Sequence, residues 1–194
     1  MKGVFYLMKI SLRFLFAFWL TVGLGGAAAL AASPNIEGTP APTPPKPDFS
    51  TMKYLIGTWE CSDMSSRRPG PFQTTEVYSM DPSGYWMLRE STIHTASWIP
   101  REVRSETKFT WDGAAKRWVR ITTGDRGGYA VSTAGMPVAS HKTYTYVIQT
   151  KAPDIASFAP EVYTKVSDTK RTMTTSFTET NGRVVNVKET CTKS

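Results

Sequence analysis

The residues of this chain that could do chemistry are few and far apart. His94 and His141 are the only histidines. A metal site needs two or three such ligands, with carboxylates, at compatible geometry. One histidine falls at a strand end and the other at a strand start, which makes both of them rim residues. Glu90, next to Arg89 within an aromatic stretch, offers either an internal ion pair or a general acid/base, and the ion pair is the plainer reading. Glu90, His94 and Arg120 are the polar groups that would have to converge, with shifted pKa values, if the chain were an enzyme. No Gly-x-Ser-x-Gly occurs, and Ser83-Gly84 belongs to a turn. Gly124 to Gly128 lacks the following helix that a phosphate loop requires. The expectation is a protein with no catalytic residue, no metal site and no cofactor.

The remaining reactive pair is Cys61 and Cys191, and its meaning depends on compartment. Lys2, Lys9 and Arg13 precede the apolar run from Phe14 to Leu24, and Ala29-Leu30-Ala31 is a small-x-small cleavage signal. Residues 1–31 therefore read as a signal peptide, and the chain as exported, periplasmic or secreted. An uncleaved anchor is the alternative, because the stretch from Phe14 to Ala32 nearly reaches a spanning length. In an oxidising compartment two cysteines favour a disulfide over metal ligands or a nucleophile; two unpaired buried thiols are the other reading. Pro34, Pro40, Pro42, Pro44, Pro45 and Pro47 make residues 32–50 a proline-rich linker with extended, spacer-like character.

Residues 51–194 show short alternating strands and turns with no convincing helix. Strands are expected at 52–61, 74–81, 84–93, 102–111, 117–123, 128–134, 140–150, 161–167, 170–179 and 183–191. The approach through Phe49, Met52 and Leu55 is read as a short turn capping a barrel floor. The clearest signal lies in 102–111, where Val103, Ser105, Thr107, Phe109 and Trp111 face one way and Glu102, Arg104, Glu106 and Lys108 the other. Asp81-Pro82-Ser83-Gly84 and Asn181-Gly182 are strong hairpin turns. Ser62 to Pro71 is a rim loop, 95–100 is irregular, and 151–160 is an insertion rich in Ala and Pro. Successive hairpins without crossovers predict an all-β, single antiparallel up-and-down barrel of about ten strands, closed so that no edge is exposed. The first and last strands would then be neighbours, and a bond between the cysteines would close nearly the whole domain.

Net charge is +7. The 23 basic residues less the three in the leader leave 20 against 16 acidic ones, or +4. The basic residues are scattered, and pairs such as Arg67-Arg68 read as solvated turns, so nucleic acid is not an expected partner. What stands out instead is an aromatic set in predicted strands: Trp86, Phe109, Trp111, Trp118, Tyr144, Tyr146 and Phe177. Aromatic walls with a few polar groups suit a small-molecule pocket in a barrel. Ten strands make a wider tube than the eight that side chains just fill.

Gly57-Thr58-Trp59 near the start of such a meander resembles the lipocalin-like (calycin) barrels, where a Gly-x-Trp on the first strand seals the closed end. The resemblance implies barrel-closing roles for Gly57 and Trp59. It also implies a basic residue from the last strands across the indole, with Arg183 or Lys188 as the matching candidates. Leu55-Ile56-Gly57-Thr58-Trp59, Trp111-Asp112-Gly113, Gly127-Gly128-Tyr129 and the strand from Arg183 to Cys191 resemble a bacterial subgroup, the DUF1579-type barrels of unknown function. Haem, bound by the related nitrobindins, is not implied: Glu60-Cys61-Ser62-Asp63 follows Trp59, and no histidine lies beyond His141. Three functions are expected in this order: a carrier or sensor holding an apolar or aromatic ligand, a barrel enzyme of isomerase or lyase type, and a tethered interaction module.

Overall fold

The computed structural model describes residues 43–68, 70–137, 142–152 and 154–194. The leader, the linker up to Pro42, and His141 lie outside the described residues. A 3-10 helix, Ser50–Leu55, comes first. Eleven strands follow: β1 (Gly57–Ser65), β2 (Phe72–Met80), β3 (Met87–Ile93), β4 (Val103–Asp112), β5 (Arg117–Gly124), β6 (Tyr129–Ala134), β7 (Thr143–Ile148), β8 (Ile155–Phe158), β9 (Glu161–Ser167), β10 (Lys170–Glu179) and β11 (Val184–Lys193). Each pairs antiparallel with its neighbours, and β11 returns to β1, so the sheet closes into a ten-stranded barrel with one extra strand.

The extra strand lies in the insertion expected at 151–160. β8 and β9 run one after the other along β10, β9 opposite Lys170 to Thr174 and β8 opposite Phe177 to Glu179. They are the two halves of one strand, interrupted at Ala159-Pro160. Proline has no N–H to give the ladder, while Ala159 still donates to the Ser176 carbonyl at 2.8 Å and accepts from Thr175 Oγ1 at 3.1 Å.

The first strand begins at Gly57, not at residue 52. The preceding 3-10 turn lets Met52 and Leu55 both point into the barrel floor, which an extended chain would not do for residues three apart. Gly57 has φ +119°, and a Cβ there would meet Lys193 Cε at 2.9 Å, so only glycine lets the chain turn into β1 beneath that side chain.

Alternation sorts the walls. β4 presents Thr107 and Phe109 inward, as its period predicts; β5 presents Trp118 and Arg120, and β7 Tyr144 and Tyr146. β11 presents Val185, Glu189 and Cys191. Cys61 and Cys191 face each other across the β1–β11 seam and form a disulfide. The tube therefore has one capped end, beneath the 3-10 helix, and an opposite mouth ringed by the β1–β2, β3–β4 and β5–β6 loops.

Candidate ligand site at the barrel mouth

The capped half is filled. Trp59 is fully buried and its Nε1 donates to the Leu55 carbonyl at 2.7 Å, tying the plug to the cap. Around it pack Met52, Leu55, Tyr78, Met87, Phe109, Trp118, Tyr144 and Tyr146. Phe49 lies 5.3 Å from Trp118, which in turn meets Trp111 edge-on at 5.4 Å. A void in this half, walled by Met52, Leu55, Phe109, Tyr144, Tyr146 and Tyr163 among others, measures about 20 Å3. That is room for roughly one water molecule. Tyr146 Oη is buried beside it without a hydrogen-bond partner among the described residues.

Two cations bracket the indole: Arg171 at 5.6 Å and Lys193 at 5.7 Å from the ring centroid. They are not Arg183 or Lys188. Arg183 precedes β11 and forks onto Glu179 at 2.7 and 2.8 Å, far along the strand from Trp59. Lys188 alternates to the outer face, because β11 turns its odd-numbered residues inward.

Above the aromatic layer lies a belt of buried charge. Arg171 donates to Glu189 Oε1 at 2.6 Å and to Glu76 Oε2. Arg89 bonds Glu76 Oε1 at 3.0 Å and Thr107 Oγ1 at 2.9 Å. Tyr78 Oη adds a third donor to Glu76 at 2.9 Å. Across the tube Arg120 binds Tyr163 Oη at 3.1 Å, Ser132 Oγ at 3.0 Å and Glu161. Burial pushes Glu76 up, but Arg89 and Arg171 outweigh it and hold its carboxyl below the ordinary range. Glu189, buried and next to Glu76, is pushed up to about 7 despite Arg171. Asp63, its partner in register on β1, is raised chiefly by burial. Cys61, Glu76, Glu189 and Cys191 cluster tightly enough to suggest a metal. The sulfurs are spent in the disulfide and Arg171 already occupies the space between the carboxylates, so the cluster does not fit one.

Beyond the belt the tube opens. The mouth holds a cavity of about 340 Å3, within the range of small-molecule sites. Its walls are the inward residues Phe72, Ile93 and Val103 at the mouth ends of β2, β3 and β4, and Val187 of β11, with Trp98 and Ile99 from the β3–β4 loop. That loop is held down by reciprocal backbone bonds between Ala96 and Ile99, 2.9 and 3.0 Å. Trp98 stands edge-on to Phe72 at 5.2 Å. Arg67, Arg68 and Arg126 line the same cavity, with the Arg68 guanidinium 5.5 Å from the Trp98 ring centroid. Arg67 is partly neutralised by Glu179 at 3.2 Å.

The aromatic set expected to line a ligand is thus divided. Phe109, Tyr144 and Tyr146 border the small void, and Trp118 and Trp111 pack beside it. Phe177 is half-buried against Phe158, 6.2 Å away. Trp86 precedes β3, whose inward face begins with Met87, and it is not a strand residue. Glu90, His94 and Arg120 do not converge. Glu90 is exposed on the outside of β3, and Arg89, one residue before it, turns inward to Glu76 instead of pairing with it. His94 sits at the rim between Thr75 Oγ1 at 2.8 Å and Glu102 at 3.3 Å. Phe72, Trp98, Ile99 and Arg126 were not foreseen. Trp98, Ile99 and Arg126 lie in loops, where no periodicity marks direction, and Phe72 opens β2 two residues before the strand expected from residue 74, although the Arg67-Arg68 rim loop was recognisable.

Compared by sequence, the chain matches no protein-family profile and no curated protein. A solved structure shares its fold. An S-type phycobiliprotein lyase, CPES, from Guillardia theta has TM-score 0.53 at 9% identity, over 75% of this chain and 91% of that one. A barrel named EF1p2_mFAP2b, solved bound to DFHBI, has TM-score 0.42 at 14% identity, over 74% and 97%. A DUF3598-family protein of unknown function from Nostoc punctiforme has TM-score 0.39 at 15% identity, over 79% and 53%. The likeness to the lyase supports the closed β-barrel fold alone, and the DUF1579-type subgroup is not shown.

Proposed function

We propose that this chain is an exported small-molecule-binding barrel that takes an apolar or aromatic ligand carrying a negative group, seated in the mouth rather than in the aromatic capped half. The observation that carries the reading is the division of volume: about 340 Å3 at the mouth against about 20 Å3 beneath the cap. Phe72, Trp98, Ile99 and Val187 supply apolar contact, and Arg67, Arg68 and Arg126 supply positive charge at the rim. A guanidinium resting over an indole is set to accept a flat ring or a carboxylate beside it. An apolar wall rimmed by guanidinium groups supports binding as the activity. Export rests on the leader and on the disulfide, a bond that persists in oxidising compartments.

Anilinonaphthalene sulfonate, an apolar ring system with an anionic group, tests this. Titrated into the purified protein, it should bind saturably with enhanced fluorescence, and Trp98→Ala and Arg68→Ala should each weaken it, while Phe109→Leu should not. Binding untouched by Trp98→Ala and abolished by Phe109→Leu would move the site to the capped half.

A further inference from the structure

The capped end carries a second concavity, outside the barrel and remote from the mouth. A cleft of about 750 Å3 lies between the 3-10 helix, the β9–β10 turn and the end of β11. Lys53, Lys142, Lys165 and Lys193 line it, and Asp168 is the one acidic residue among its lining. Two of these ammonium groups are held in place. Lys193 Nζ donates to the Tyr54 carbonyl at 2.9 Å, and Lys165 Nζ sits 4.5 Å from the Tyr54 ring centroid and 2.5 Å from Asp168 Oδ1. Lys53 and Lys142 are exposed and make no ion pair among the described residues. Four cations against one carboxylate leave a concentrated positive field in a concave wall that also bears the Ser50 and Ser167 hydroxyls.

We propose that this cleft binds a phosphate-bearing group. Ammonium groups recognise phosphate as point charges from several directions without needing a planar fork. Two anchored lysines hold the positive charge in position, and the two exposed ones close on the ligand. The cleft is too large for a single small oxyanion and suits a diphosphate or a lipid headgroup. Its position is informative: the segment from Thr43 to Phe49 runs along the same end, with Tyr85 Oη bonded to the Pro44 carbonyl at 2.9 Å and Phe49 against Trp118. The cleft therefore lies at the end of the barrel along which Thr43 to Phe49 run, on its outer surface, where it is open to a lipid headgroup of an anionic bilayer as well as to a free phosphate compound.

Isothermal titration of the full chain with inorganic pyrophosphate, and co-sedimentation with phosphatidylcholine vesicles containing phosphatidylglycerol, test the site. The double variant Lys53→Ala/Lys142→Ala should weaken pyrophosphate binding at least about tenfold, while Lys108→Ala/Lys188→Ala, equal in charge and elsewhere on the barrel, should leave it unchanged. Vesicle binding that is lost in the same double variant and competed by pyrophosphate identifies the headgroup as the source; pyrophosphate binding without vesicle binding identifies a free phosphate compound. Equal weakening by both double variants, or no saturable binding of either probe, overturns the proposal. Neither result bears on the mouth, which shares no residue with this cleft.

Discussion

At Trp59 three contacts converge on one indole: a carbonyl on its N–H, and the charged ends of Arg171 and Lys193 over the ring. Trp59→Ala should cost about 3–5 kcal/mol in urea unfolding, as large buried aromatics do. Lys193→Met, which keeps the stem over the ring and loses only a half-exposed charge, should cost about 1 kcal/mol or less. Arg171→Met should be as damaging as the loss of the tryptophan, about 3–5 kcal/mol, because Glu189 loses its one ion pair among the described residues and Glu76 keeps only Arg89 of its two guanidinium partners. The plug and a basic residue from the last strands beside it were legible through the Gly57-Thr58-Trp59 resemblance; which residues supply the charge was not, and Arg171 and Lys193 stand where Arg183 or Lys188 was expected. Arg171 shares the inward parity of Met173, but charged residues are so seldom buried that alternation alone argues against placing one there. What brings it inside is Glu76 and Glu189 on strands far away in sequence.

Among the elements, the β1–β11 seam and the 3-10 cap decide whether the tube stays closed. The disulfide spans 130 residues of sequence, and the chain-entropy account assigns such a loop about 5 kcal/mol. Replacing both cysteines by serine should lower the denaturant midpoint accordingly while preserving the β-sheet circular dichroism, since the ladder on both sides of the bond remains. Met52→Ala should cost about 2–5 kcal/mol, because the side chain is buried and its loss leaves a cavity under the cap. Strand positions were largely readable from period-two patterning and turn residues. β8 escaped because Pro160 divides one strand into two pieces, the first only four residues long and half-exposed, too short to show a period.

Over the whole molecule, the interior is layered: packed aromatics, a charged belt, then an open mouth. The belt sets Asp63, Glu76, Glu161 and Glu189 against Arg89, Arg120 and Arg171, and four carboxylates against three guanidiniums balance when one proton is retained. Glu189 retains it, with a pKa raised to about 7 by burial and by Glu76. A carboxyl raised in the folded state holds its proton where the unfolded chain has lost it. Its contribution is thus fully present below the ordinary glutamate range and is lost as pH rises towards 7. Glu76, depressed by Arg89 and Arg171, works the opposite way and loses its contribution in acid. Unfolding free energy should therefore decline from about pH 5 to about pH 7, and Glu189→Gln, neutral at every pH, should flatten that slope. A barrel of this size was expected to leave an aromatic cavity; the 3-10 cap, which the sequence showed as a short turn at the floor, and the buried arginines, which it did not show as core components, fill it from the floor upward.

The division into a filled half and an open half is tested most directly by the indole N–H resonances of nitrogen-labelled protein during titration with anilinonaphthalene sulfonate. Trp98 stands at the mouth, Trp59 and Trp118 in the capped core. The Trp98 resonance should move saturably while those of Trp59 and Trp118 stay in place. Movement of Trp59 and Trp118 with Trp98 unmoved would contradict the account.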